Sequence, residues 1–244
     1  MALPFFYIDS YNNASTVLTL NEETSKHVVQ VLRMKTGEQL NLTDGKGNLL
    51  TAQITDSHKK NCVVSIKTAS FKPQATRKVS IAISLVKNTN RFEWFLEKAT
   101  EIGVAEIIPL LCERTERQHS RYDRMKGIVV SAMLQSQQTW LPVLHEPISF
   151  ENYIQHTAEE EKVLKMIAHC IDEDRKSLSS ILSAAEGQIN KFSNCIILIG
   201  PEGDFTANEI QLALNNQFTA IILGETRLRT ETAGIVAAVL LCIK

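Results

Sequence analysis

Four nearly uninterrupted apolar runs, Val79–Val86, Val104–Leu110, Val163–Cys170 and Cys195–Ile199, constrain this chain more than any other feature. A strand with one wet face alternates apolar and polar residues. A strand that is apolar throughout needs cover on both faces, as in a parallel sheet flanked by helices. Stretches of helical spacing lie between the runs. Arg91–Ile102 places Phe92, Phe95, Leu96, Ala99 and Ile102 on one face and ends at Gly103. A long helix from Tyr122 to about Gln138 carries Met125, Val129, Ala132 and Met133 along one side, with Pro142 marking its exit. Leu178–Ala185 reads as helix, and Thr206 with Glu209 forms a capping box for a helix running to Asn216. A short strand, Ala220–Leu223, and an apolar helix, Glu231–Ile243, complete the chain. This alternation predicts an α/β domain with a parallel sheet. The last helix has so few polar residues that it must be buried on most sides, within the fold or against a second subunit.

Residues 1–70 have a different texture. Val17–Leu20, Gln39–Thr43, Leu49–Ile54 and Cys62–Lys67 read as short strands, punctuated by turns such as Asp44-Gly45-Lys46-Gly47. One helix, Glu22–Leu32, interrupts them, with Thr24, Ser25 and His27 as capping candidates. The pattern suits a small β-barrel of the kind that often binds nucleic acid, or equally a β-rich packing or dimerisation module. The Phe71-Lys72-Pro73-Gln74 break divides the chain into residues 1–72 and 73–244.

Composition removes several classes of protein. With 244 residues, 44% hydrophobic and 22% charged, the chain can build a core without disulfides or a structural metal. Cys62, Cys112, Cys170, Cys195 and Cys242 are scattered and form no CxxC pair, so reduced thiols and no zinc are expected. The six histidines show no metal-ligand spacing, and no metal is expected. The longest apolar run, Ile235–Ile243, is too short for a bilayer, and Met1–Asp9 lacks the basic flank of a signal peptide. A cytoplasmic protein with no membrane partner is expected. Residues 1–78 hold 10 Lys/Arg against 6 Asp/Glu, and residues 128–244 hold 8 against 14. A basic front and an acidic rear would suit a polyanion held at one end.

No phosphate loop, GxGxxG turn, GxSxG elbow or HExxH pair is present. Two segments stand out instead. An apolar strand enters Gly200-Pro201-Glu202-Gly203 and then a capped helix. A second strand ends at Leu223-Gly224, followed by a polar loop and Leu228-Arg229-Thr230-Glu231-Thr232 at the start of the last helix. Gly200 and Gly203 would allow a ligand close to the backbone, and Pro201 stiffens the turn. Ligand sites of open α/β sheets lie at the carboxyl ends of strands, so the two loops could share one pocket; each could equally be only a tight connection. His169, at the end of another run, gains interest by the same rule.

These segments resemble the paired motifs of the SPOUT methyltransferases, and more narrowly the RsmE family, whose members methylate N3 of a uridine in small-subunit ribosomal RNA. Upstream, Glu97-Lys98-Ala99-Thr100-Glu101-Ile102-Gly103-Val104, with Pro109-Leu110 and Glu113-Arg114, is similar to a further family stretch. So are His27-Val28-Val29 and Val31-Leu32-Arg33-Met34 near the N-terminus. The chain departs from the family where Asp204 replaces the second glycine of the GPEGG turn, where Gln138 and Trp140 stand at positions that often carry arginine, and where Thr226 precedes Arg227.

The resemblance implies a PUA-like, RNA-binding β-barrel in residues 1–72 and a SPOUT α/β domain with a deep trefoil knot in residues 73–244. It implies S-adenosylmethionine as cofactor, held by Ile199, Gly200, Pro201, Glu202, Gly203, Ile222, Leu223, Gly224, Leu228, Arg229 and Thr230, with His169 added from its strand-end position. Arg229 is the first catalytic candidate, as a cation beside the reacting base, and Arg227 the second. Glu231 or Glu202 would orient the arginine or take the proton. Arg33, Lys87, Arg91, Arg114 and Arg117 are candidate RNA contacts. The implied partners are small-subunit ribosomal RNA or the assembled subunit, and a second copy of the chain. A knotted methyltransferase acting on tRNA and a non-catalytic RNA-binding or ribosome-assembly factor are the alternatives.

Overall fold

The structure, a computed structural model, describes residues 3–116, 121–158, 162–171, 175–185 and 194–243. It divides into two compact units. One holds residues 1–74 and 130–141, the other residues 75–129 and 142–244.

The first unit is built on a five-stranded sheet in the order β1 (Phe5–Tyr7), β3 (Gln39–Thr43), β4 (Asn48–Asp56), β5 (Val63–Phe71), β2 (Val17–Thr19). β1 lies parallel to β3, and the remaining pairs are antiparallel. Inward residues at period two, including Leu40, Leu42, Leu50, Ala52, Ile54 and Val64, make its core with Phe6, Leu20 and Val28. The helix expected over Glu22–Leu32 is two pieces: α1 (Glu22–Lys26) and a π-helical turn, His27–Val31. Its cap is Asn21, whose side chain accepts from Thr24 N, and not the Thr24, Ser25 or His27 groups. Ser25 is instead buried, donating to Leu20 O and accepting from Cys62 N.

The Asp44–Gly47 turn is tied to Trp140. Trp140 donates its indole N–H to Lys72 O at 2.8 Å and meets Phe71 edge-on. A Cβ on Gly47 would fall 2.8 Å from the Trp140 ring, and one on Gly45 2.8 Å from Leu141 Cβ. Where the resembled family often carries arginine, Trp140 therefore serves packing.

The second unit carries the expected parallel sheet. Its order is β11 (Lys176–Ser177), β13 (Thr219–Ile222), β10 (Val163–Ala168), β12 (Asn194–Ile199), β6 (Lys78–Ser84), β7 (Glu106–Leu111), β8 (Val143–Leu144), with β9 (Ile148–Ser149) also on β7. The described pairs are all parallel. The central strands β6, β7, β10 and β12 fall on the four apolar runs; β6, β7 and β12 are buried along nearly their whole length, and β10 at Lys165, Met166 and Ile167. On one side Phe150, Tyr153 and Ile154 of α4 (Phe150–Thr157) join Ile210 and Ala213 of α6 (Ala207–Asn215) over Ala82, Ile108, Ile167 and Leu198.

Elsewhere in this unit, α2 (Thr89–Ile102) packs against α7 (Thr230–Cys242), whose Gly234 approaches Phe95 and Ile83. Gly103 ends α2 in the left-handed conformation, φ +99°. α5 (Leu178–Ala185) also belongs to this unit, and α3 (Tyr122–Gln135) contributes residues 122–129 to it and 130–135 to the first. The last helix is less enclosed than its composition implies. Thr230, Glu231, Gly234, Ala237, Ala238 and Leu241 are buried, while Val239 and Ile243 are 39% and 58% exposed. Among the described residues, no helix is long and apolar enough to cross a membrane.

Candidate active site

Parallel register brings three loop starts together. Ala168 of β10 pairs with Ile199 of β12 on one side and Ile221 of β13 on the other. His169, Gly200 and Leu223 therefore leave the sheet near one another, at its carboxyl edge. There they open into a cavity of about 530 Å³, within the usual range for a small-molecule site.

Most of the expected cofactor residues line this cavity: His169, Ile199, Gly200, Pro201, Glu202, Ile222, Leu223, Gly224, Leu228, Arg229 and Thr230. Arg227 lines it too. Thr230 donates its hydroxyl to Gly200 O at 2.9 Å, joining the start of α7 to the Gly-Pro turn. Arg229 is the N-cap residue of α7 but makes no side-chain capping bond, and it is exposed. A guanidinium has no acceptor with which to cap a helix start, so the helix itself gives no reason for an arginine there. His169 is 4% exposed, and its carbonyl accepts from Arg175 Nη1 at 2.6 Å.

The glycines divide by role. A Cβ on Gly200 would lie 3.1 Å from the Phe205 ring, so the missing side chain leaves room for a core phenylalanine, while Gly200 itself lines the cavity. Phe205 is fully buried and packs on Phe150 with ring centroids 5.2 Å apart. Gly203 is absent from the cavity lining, and its Cβ position faces Arg114 Cδ at 3.3 Å. Of these three glycines, Gly224 alone has nothing within 4 Å of an added Cβ, so bare backbone borders open space there.

Asp204 accounts for the departure from the family turn. It keeps the left-handed backbone, φ +64°, where a non-glycine residue costs about 1–2 kcal/mol. Its carboxylate accepts from Cys170 N at 2.7 Å and from Phe205 N at 2.8 Å. Hydrogen bonds to a charged acceptor contribute about 1.5–3 kcal/mol each, which offsets the strain. Arg114 holds the same turn, donating Nη1 to Gly203 O at 2.7 Å and to Phe205 O at 3.5 Å. Behind it, Glu209 closes the capping box with Thr206 and also accepts from Glu113 N at 2.9 Å.

Other expected residues lie off the cavity. Glu231 is not part of the lining; its side chain is 9% exposed and pairs with Arg91 Nε at 3.6 Å. Lys87 pairs with Glu116 at 2.8 Å, which raises its pKa, and its backbone N–H donates to Glu202 at 3.2 Å. Both partners of the Lys87 pair are well exposed, so it contributes little to stability. Arg33 belongs to the first unit, exposed and left-handed at φ +55° just after the π-helical turn. Arg117 lies outside the described residues. The cavity adds Cys170, Arg175, Asp204, Glu225 and Thr226. Arg175 was hidden in an acidic, loop-like stretch with no periodicity, whereas Asp204 was visible as a departure from a motif.

The chain is similar to known RNA methyltransferases. Residues 73–242 match the family model of the RNA methyltransferase domain, and residues 20–67 that of the RNA methyltransferase PUA domain. The chain is 30% identical over 233 residues to the ribosomal RNA small subunit methyltransferase E of Rickettsia conorii, covering 95% of this chain and 91% of the relative. A crystal structure of a probable rRNA methyltransferase from Porphyromonas gingivalis superposes with a TM-score of 0.84 at 36% identity, covering 97% and 95% of the two chains. The ribosomal RNA small subunit methyltransferase E of Neisseria gonorrhoeae, solved bound to S-adenosyl methionine, gives 0.83 at 27% identity, with 97% and 95% covered. By its sequence and fold the chain belongs to the RNA methyltransferase family, with the ribosomal RNA small subunit methyltransferases E.

Proposed function

We propose that this protein is an S-adenosylmethionine-dependent methyltransferase that modifies N3 of a uridine in small-subunit ribosomal RNA. The observation that carries the reading is the convergence of the β10, β12 and β13 loops on one cavity with Arg229 on its wall. The cavity suits the cofactor. Apolar walls from Ile199, Ile222, Leu223 and Leu228 fit a nucleoside, and the open backbone at Gly224 and the Gly200–Glu202 turn offer main-chain groups to hold it. When bound, S-adenosylmethionine supplies an activated methyl group on a positively charged sulfur.

The chain's own residues must align the base and favour loss of its N3 proton. Deprotonation spreads negative charge over the two flanking carbonyl oxygens. Arg229, exposed and lining the cavity, is the residue assigned to stabilise that charge. Of the two glutamates expected to take the proton, Glu202 lines the cavity and Glu231 does not, which supports Glu202 in that role. Glu231 is assigned the orientation of Arg91, its ion-pair partner.

RNA is proposed to be held by the N-terminal unit, including Arg33, and by Lys87, Arg91 and Arg114 in the second unit. The trefoil knot belongs to the same reading; the seating of β13 between β10 and the short β11 supports it. So does a homodimer. Ile235, Val236, Val239, Leu240 and Ile243 recur at helical spacing along the side of α7 left partly or largely exposed, a face that a second copy would cover. A cytoplasmic location is part of the same proposal, with ribosomal RNA as the substrate.

Titration of the purified chain with S-adenosylmethionine tests the first half of the proposal. Saturable binding that is lost when the Gly224 opening is filled by Gly224→Leu is expected. No heat of binding to the wild-type chain would overturn it.

A further inference from the structure

We propose that Asp204 is a positioning residue that clasps two walls of the cofactor cavity together. The inference rests on the function proposed above and deepens it. Its basis is a single side chain with two ties. Oδ2 accepts from Cys170 N at 2.7 Å in the loop after β10, and Oδ1 accepts from Phe205 N at 2.8 Å in the loop after β12. Residues on both sides of the tie, His169 and Cys170 on one and Gly200 to Glu202 on the other, line the cavity, as does Asp204 itself.

The two loops need such a tie. β10 and β12 pair as far as Ala168 and Ile199, where the strand ladder ends. Beyond it, backbone groups on facing loops can drift apart unless something spans them. A glycine here could adopt the same left-handed backbone, φ +64°, but would have no group to reach Cys170. Phe205, anchored in the core, gives the clasp a fixed foot. Arg114 holds Gly203 and Phe205 by their carbonyls, so the turn is fixed independently of Asp204. Loss of the carboxylate should therefore free the Cys170 loop rather than collapse the turn.

The test uses the full chain with Asp204→Gly, which keeps the backbone conformation, and Asp204→Asn, whose amide oxygen can still accept one bond. In Asp204→Gly, hydrogen exchange at the Cys170 amide should rise by at least about tenfold, and S-adenosylmethionine binding should weaken about tenfold. The Michaelis constant for the cofactor should rise while kcat on ribosomal RNA stays within about twofold. Asp204→Asn should fall between wild type and glycine in each readout. Unchanged exchange at Cys170, wild-type affinity in Asp204→Gly, or a loss of affinity matched by a fall in the unliganded melting temperature would overturn the clasp. A wild-type chain that binds no cofactor would instead overturn the proposed function, so the two failures are distinct.

Discussion

Arg229 occupies the cap position of α7, where a guanidinium has no acceptor to offer the helix, and Thr230 rather than Arg229 ties the helix start to Gly200. Arg229→Ala is therefore expected to lower methyl transfer by about 10²–10³-fold, as losing a preorganised charge stabiliser does. The melting temperature should hardly move. Wild-type turnover, or loss of folded protein, would contradict the assignment. The thiols offer a second check at this scale. Burial pushes the Cys112 thiol up to about 12, with the Glu209 charge adding to it, and burial pushes Cys242 to about 11. Both are therefore protonated and inert near neutrality. In the unfolded chain these thiols lose their protons near the ordinary value of 9.0, so between about pH 9 and about 12 the unfolded state sheds protons that the folded state keeps. Their contribution is present below about pH 9, and stability falls as pH rises through that window. Alkylation at pH 8 should mark exposed Cys170 before either of them, and S-adenosylmethionine should slow that reaction, since Cys170 lines the cavity. Peptide mass mapping with and without cofactor reads both effects.

Elements form here where local signals and burial agree. α6 is an example: its Thr206–Glu209 box is visible in sequence and closed in the structure. α7 is the opposite case, because its composition says apolar and little else. Its packing instead depends on Gly234, where a Cβ would sit 2.6 Å from the Phe95 ring and 2.9 Å from Ile83 Cδ1. Helix propensity favours alanine over glycine by about 1 kcal/mol. Overpacking a rigid core costs typically about 1–3 kcal/mol. Gly234→Ala should accordingly destabilise the protein, by denaturant unfolding, despite its better propensity; a stabilised variant would mean that α7 and α2 are not packed this closely. The long apolar strands and capped helices were legible because they carry period and punctuation. α4 was missed although Ser149 caps it, because eight residues give only two turns of periodicity. The two-residue strands β8, β9 and β11 have no pattern to read. Glu22–Leu32 was legible as helical, but nothing in Val28, Val29 and Gln30 announces a change of hydrogen-bond register to π.

At the scale of the whole molecule, sequence pattern could place the site at strand carboxyl ends but could not order the strands. That three loops share one cavity follows from β13 pairing beside β10, a long-range choice made by burial. The same limit explains Glu231 and Arg114. Sequence pattern could not show that Glu231 forms an ion pair with Arg91 or that Arg114 grips the Gly203 turn, because both contacts are made by tertiary packing. The most direct test of the central claim is a map of modified nucleosides in ribosomal RNA from cells with and without this gene. A single N3-methyluridine should disappear from the small-subunit RNA and return when purified protein and S-adenosylmethionine are added, but not with Arg229→Ala. An unchanged map would contradict that claim and turn the search to tRNA or to a binding role without catalysis.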